Sequence, residues 1–327
     1  MLSYDDNLQL KVLAWFLQYP FYILWFIIKF FLNKQKNEWD NIQAPQNPRI
    51  IVITGASQGL FIFCKYMHTQ RERERNVEQF YFLYVGIGEG LVEYYLKNSP
   101  SCQIIIMISR NKEKLEIVKN RFNSDDQKKL LIYPCDVTDS DEMKRVLLDI
   151  HRTYGQVDIL IANAGISFRQ HALTNTFDKA VRDTFNININ GVINTVMPLI
   201  EVKGVKQIAI VSSQAAYATF VSPIYGTTKQ CVLSFGLDLR RILAKDNIVV
   251  NIILPGPVIT PMLVGSYPRS VQHAISIDKA AHIIFHGLRR NQSEIVFPAF
   301  TGIFQYTLSF LPLCIAEPIA IYFLRHQ

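Results

Sequence analysis

The chain has 327 residues, 49% hydrophobic and 19% charged, and 34 Lys and Arg against 27 Asp and Glu give a formal charge of +7. That balance excludes a disordered or low-complexity chain, and a mean hydropathy of +0.12 is too low for a multi-spanning transporter. Five scattered cysteines (Cys64, Cys102, Cys135, Cys231, Cys314) with no CxxC pair argue against a zinc ribbon or disulfide framework, and scattered basic residues suit anionic ligands or a membrane surface better than nucleic acid.

Residues 1–33 read as a membrane anchor. Val12–Leu32 is a 21-residue apolar run interrupted only by Gln18, Pro20 and Lys29, long enough to cross a bilayer as a helix. Trp15, Tyr19, Tyr22 and Trp25 are aromatics suited to the membrane interface, and no small-residue cleavage site follows. Asp5 and Asp6 precede the run, whereas Lys29, Lys34 and Lys36 lie towards or beyond its end. That bias puts the main domain on the cytosolic side, with the endoplasmic reticulum as the expected membrane. A hairpin or interfacial helix broken at Pro20 is the alternative. A polar linker, 34–48, follows.

From Arg49 short apolar runs recur at Ile50–Ile53, Ile104–Ile108, Leu130–Tyr133, Ile159–Asn163, Gln207–Val211, Val249–Leu254 and Ile295–Phe297. Between most of them lie charged stretches of helical period, such as Lys112–Phe122, Ser140–Tyr154 and Thr227–Leu243. Buried strands alternating with amphipathic helices predict an α/β domain over 49–298, a doubly wound parallel sheet of seven strands with helices on both faces. Such a sheet binds ligands at the carboxyl ends of its strands. The apolar segment 299–327 carries Pro312, Glu317 and Pro318, which predict short helices over a cleft or on a membrane surface rather than a spanning helix, with ordinary C-terminal helices on the core as the alternative.

The strand ends carry the chemistry. Thr54-Gly55-Ala56-Ser57-Gln58-Gly59 follows the first strand, where glycine lets the backbone approach a pyrophosphate at a helix N-terminus. The second strand ends in Ser109-Arg110-Asn111; in place of the acid that binds a ribose hydroxyl, Arg110 offers a planar fork to a 2′-phosphate, which points to NADP. Asp136 after the third strand is placed to accept from an adenine amino group, and Asn163-Ala164-Gly165 after the fourth leaves room for the cofactor. Ser212-Ser213 ends the fifth strand, and Tyr225 and Lys229 share one helix face at i and i+4. A lysine ammonium beside a phenol would lower its pKa, and a serine hydroxyl on the same carbonyl oxygen would polarise the substrate.

With these motifs in this order (TGASQG, NAG, SS, YxxxK), the stretch from about Arg49 to Pro298 resembles the short-chain dehydrogenases/reductases. The resemblance implies hydride transfer between a nicotinamide and a carbonyl or alcohol carbon. It makes Tyr225 the general acid/base, with Lys229 lowering its pKa and holding the nicotinamide ribose. Ser213 would orient the substrate oxygen, and Asn188 would anchor a relay water. Pro255-Gly256 and Thr260 match the family's turn after the sixth strand, near the nicotinamide amide. Ser212 matches the family's usual spacing of thirteen to the tyrosine; Ser213, twelve away, aligns better with the strand end and is the one assigned. Homodimerisation through the helices around Asn188 and Tyr225 is also implied.

One departure is large. The family's glycine motif is continuous, whereas here 27 residues, Leu60 to Gly86, separate Gly59 from Ile87-Gly88. Removing them restores TGASQG-IGEGL. The insert reads as a retained intron, since Gly59 can be split at a donor and Val85-Gly86 can encode an acceptor. The alternative is a lid, with Gly86 taking over the role of Gly59. Two functions follow: a membrane-anchored NADP(H)-dependent oxidoreductase of a lipophilic substrate (steroid, retinoid, fatty-acyl or sphingoid ketone), or a non-catalytic membrane-attached scaffold inactivated by the insert. His282 and His286 have the spacing of two ligands without a third, so no metal is expected.

Overall fold

The computed structural model describes residues 42–57, 61–63, 82–84, 86–218 and 222–326. The expected membrane helix, most of the linker and Gly59 lie outside them. Among the described residues no helix is long and apolar enough to cross a membrane.

Seven strands form one sheet: β1 (Ile50–Thr54), β2 (Ile104–Ser109), β3 (Leu130–Pro134), β4 (Val157–Ala162), β5 (Val205–Val211), β6 (Val249–Pro255) and β7 (Glu294–Phe297). Their order is β3-β2-β1-β4-β5-β6-β7, and every pairing is parallel. The central strands β1, β4 and β6 are buried along their whole length, as continuous Ile/Val runs require when both faces are covered. The chain reverses its winding direction between β1 and β4, which opens a crevice at their carboxyl ends.

Twelve helices are described: α1 (Ile87–Asn98), α2 (Lys112–Lys119), α3 (Ser124–Lys129), α4 (Ser140–Tyr154), α5 (Phe168–Ala172), α6 (Phe177–Phe185), α7 (Gly191–Glu201), α8 (Tyr225–Leu243), α9 (Pro261–Ser266), α10 (Ile277–Arg289), α11 (Ala299–Leu308) and α12 (Leu313–His326). Leu91 and Tyr95 of α1, Leu115 of α2 and Phe285 of α10 bury against one face of the sheet. Met143 of α4, Val196 of α7 and Val232 of α8 bury against the other. The helix expected over Lys112–Phe122 stops at Lys119. Asn123 starts α3 instead, its side chain accepting from Asp125 N and Asp126 N at 3.1 and 2.9 Å. Helix α8 begins two residues before the expected Thr227, so Tyr225 is its first residue.

Within the insert, Phe61–Phe63 and Phe82–Tyr84 pair as a separate antiparallel ribbon, with Phe61 opposite Tyr84. The two described stretches of the insert are therefore neighbours. Gly86 then serves as the N-cap of α1.

Candidate active site

The first turn is built by sterics. Gly55 has φ 68°, a left-handed conformation, and its N–H donates to Ile108 O at 2.8 Å. A Cβ at Gly55 would meet Ala164 Cα at 2.9 Å, and one at Gly88 would meet Gly55 O and Asn163 Nδ2 at 2.8 Å each. The ends of β1 and β4 are thus packed too closely for any side chain. Thr54 Oγ1 fixes that approach by accepting from Asn163 N (3.1 Å) and Ala164 N (3.3 Å), while Asn163 Nδ2 donates to Thr54 O at 3.1 Å.

Helices α2, α3, α4, α6, α9 and α10 each have a side chain accepting from their first-turn N–H groups; α1, which starts at Gly86, has none, and neither do α5, α7, α8 and α11. Gly55, Ser57, Gly86 and Ile87 line one cavity of about 800 Å³ beside that helix start. Uncapped donors at a helix N-terminus favour an anion. Gly86 stands at the start of the helix that follows the insert.

Arg110 and Asp136 line the same cavity. Arg110 is mostly exposed and its guanidinium lies 3.9 Å from Asp136, while Asp136 Oδ1 accepts from Thr138 N and Oγ1 at 2.9 Å each. Ser57 Oγ donates to Ser109 Oγ at 2.7 Å, joining the glycine turn to the end of β2. Ala164, Gly165, Pro255, Gly256 and Thr260 are also on the wall. Thr260 doubles as the cap of α9, accepting from Leu263 N at 3.2 Å.

At the other end of the cavity stand Ser213, Tyr225 and Lys229. The two serines are separated by their partners. Ser212 is buried and donates to Lys229 O at 2.7 Å, so it fastens β5 to α8; Ser213 Oγ donates to Pro255 O at 3.4 Å, accepts from Ala215 N at 3.2 Å, and lies near enough to the Tyr225 phenol to favour its charged form. Lys229 is buried, donates to Val211 O at 2.9 Å and lies 5.8 Å from the centre of the Tyr225 ring. Burial pushes the Tyr225 phenol up to about 12, against the opposing effect of Ser213. Burial also lowers the Lys229 ammonium to about 8. For both groups burial is the largest effect, and the ammonium donates to a main-chain carbonyl.

Asn188 and Gly88 are not on the wall but behind it. Asn188 lies fully buried in a π-helical turn, Asn186–Asn190. Its Oδ1 accepts from Ile166 N at 2.8 Å, and its Nδ2 donates to Ile166 O and Thr228 Oγ1 at 3.1 Å each. A Cβ at Gly165 would lie 3.2 Å from Asn188 Oδ1 and 3.3 Å from Lys229 Nζ, which places those groups on two sides of one glycine.

The sequence reading missed Gln170, His171, Ser222, Tyr267 and Gln305, all on the wall. The loop that follows Thr260 also brings Met262 and Leu263 to the wall, beside Tyr267. No spacing rule singles out its tyrosine, because loop residues meet the cavity through tertiary packing.

The short chain dehydrogenase family model matches residues 84–269, and the chain belongs to that family. The match starts just before Gly86, beyond the first glycine turn. The chain is 28% identical over 301 residues to the 11-beta-hydroxysteroid dehydrogenase-like 3 of Arabidopsis thaliana, covering 89% of this chain and 84% of that one. It is 30% identical over 153 residues to carbonyl reductase family member 4 of Xenopus tropicalis, covering 46% and 64%. The structure of L-sorbose reductase from Gluconobacter frateurii, complexed with NADPH and L-sorbose, aligns with a TM-score of 0.57 at 19% identity over 78% of this chain and 95% of that one. That likeness is one of fold. Family membership makes this chain an oxidoreductase with an NAD(P)-binding Rossmann domain.

Proposed function

We propose that the chain is an NADP(H)-dependent reductase of a lipophilic carbonyl compound, working at a membrane surface. The observation that carries the reading is the single cavity that joins an uncapped helix start and Arg110 at one end to Ser213, Tyr225 and Lys229 at the other. The Gly55 and Gly88 positions leave a cradle that a side chain would fill, as a bound pyrophosphate needs. Arg110, beside Ser57 and Asn111, would hold a 2′-phosphate; Asn163, Gly165 and Lys229 would hold the nicotinamide end. When bound, the cofactor supplies the hydride.

The residues handle the proton. Ser213 stands beside the phenol of Tyr225, and both would bind the substrate oxygen. With its pKa near 12 the phenol keeps its proton at neutral pH, the form that donates as a carbonyl becomes an alcohol. Lys229 stays largely protonated at pH 7 and Asn188 fixes the backbone beside it. The exposed apolar residues Phe300, Phe310 and Ile321 on and between the C-terminal helices, with the apolar run at 12–32, support a membrane-surface location such as the endoplasmic reticulum, facing the cytosol. Exposed Phe185 on α6 and Ile242 on α8 support a homodimer through those helices.

The test is NADPH oxidation with a panel of ketones spanning steroid, retinoid and long-chain acyl types, comparing the parent with Tyr225→Phe. Turnover by the parent and its loss in the variant support the reading. Equal rates would refute Tyr225 as the acid, and an unchanged biological role in the variant would favour the scaffold.

A further inference from the structure

The approach to Tyr225 is strained. Ile224 has φ 64° and ψ −62°, and Tyr225 N donates to Pro223 O at 2.7 Å, so residues 223–225 form a γ-turn of the rare kind centred on a β-branched residue. Such a conformation persists only where the surroundings hold it. On the downstream side it is held by the helix: Gly226 N donates to Ser222 O at 2.7 Å and Thr228 N to Ile224 O at 3.0 Å. On the upstream side the hold is Ser222, which is buried and whose Oγ shares a hydrogen bond of 3.0 Å with the Tyr267 hydroxyl.

Tyr267 is itself fixed from its own element. It lies directly after α9, its N–H donating to Leu263 O at 2.6 Å. Ser266 Oγ donates to Ser167 Oγ at 2.7 Å in a buried contact, and the Arg169 guanidinium lies 5.0 Å over the Tyr267 ring. A bridge between Val258 and Ile275 closes the base of the loop. Ser222, Tyr225 and Tyr267 all face the same cavity, yet Ser213, not Tyr267, is the hydroxyl that favours the charged form of the Tyr225 phenol.

We propose that Tyr267 is a positioning residue for the Tyr225 phenol: through Ser222 it holds the strained turn at Ile224, and so ties the placing of the phenol to the seating of the 258–275 loop. This rests on Tyr225 being the general acid. Without the latch, Ile224 relaxes to negative φ, which rotates the start of α8 and swings the phenol away from Ser213. The role differs from a direct substrate contact, which would act through binding.

The test is kinetic, with 9,10-phenanthrenequinone as a lipophilic probe and NADPH as reductant. Tyr267→Phe and Ser222→Ala are each expected to lower kcat about tenfold, with both KM values within about twofold of the parent, and the double variant to be no worse than either. Adding Ile224→Gly to Tyr267→Phe should recover kcat to within about threefold, because glycine adopts positive φ without strain. Additive losses, a raised substrate KM at unchanged kcat, or no recovery with Ile224→Gly would overturn the proposal. A second measurement is independent of turnover. The ¹³Cζ resonance of Tyr225, assigned by its loss in Tyr225→Phe, should move in both latch variants and return with Ile224→Gly. A resonance that stays put overturns the latch, whereas absence of turnover in the parent with a moving resonance counts against the function alone.

Discussion

Tyr225 and Lys229 sit four residues apart on α8, but their environments act on them more strongly than they act on each other. Tyr225→Phe removes only the hydroxyl and is expected to lower kcat about 10²–10⁴-fold while leaving NADPH affinity unchanged, read by turnover and by titration. Lys229 gives a prediction in pH. Its folded pKa of about 8 lies below the ordinary 10.5, so the buried ammonium costs stability below pH 8, and that cost is relieved as pH rises from 8 towards 10.5. The difference in urea stability between the parent and Lys229→Met should therefore move in the parent's favour by about 2 kcal/mol between pH 7.5 and pH 10. A difference that stays flat would mean the ammonium is not desolvated. Arg110→Ala should weaken NADPH about 10- to 100-fold and leave NADH unchanged, since only the former offers a 2′-phosphate. Equal weakening of both would reduce Arg110 to a surface charge. Single residues were also where the sequence was least informative. YxxxK was visible as a spacing, but the different partners of Ser212 and Ser213 were not: Ser212 Oγ donates to the backbone of α8 and Ser213 Oγ to Pro255 O. Ile224 and Tyr267 carry no pattern at all, because a γ-turn and a loop contact are tertiary outcomes.

Elements were far more legible. Each of the seven apolar runs became a strand, because burial on both faces demands continuous Ile and Val, and caps such as Asp139 and Ser276 mark helix starts in the sequence. The glycine turn was legible only by subtraction. Deleting 60–86 or 59–85 produces the same chain, so the structure's use of Gly86 at the start of α1 and the motif's use of Gly59 become one position. That deletion variant is expected to fold with an unchanged melting temperature, within about 3 °C, and to bind NADPH at least as tightly as the parent. Loss of folding would show the insert to be integral to the domain. Gly88→Ala goes the other way. Its methyl would press on Gly55 O and Asn163 Nδ2, and an expected loss of about 1–3 kcal/mol in urea unfolding should accompany weaker cofactor binding.

At the scale of the whole molecule, one crevice at the reversal of strand order collects residues at or just after the carboxyl ends of β1, β2, β3, β4, β5 and β6. Their sequence separation is large, yet parallel winding brings every strand's carboxyl end to the same edge. The fold class and the part of the wall at the strand ends were therefore readable from the alternation of strands and helices. The ceiling was not: Gln170, Tyr267 and Gln305 come from α5, the loop after α9 and α11, whose packing no periodicity encodes. The same asymmetry explains why the cofactor end supports a sharper reading than the substrate end. The most direct test is a fluorescence titration of the full chain with NADPH, with NADH as control. The account predicts saturable, micromolar NADPH binding and NADH binding at least about tenfold weaker. Failure of both dinucleotides to bind would contradict it.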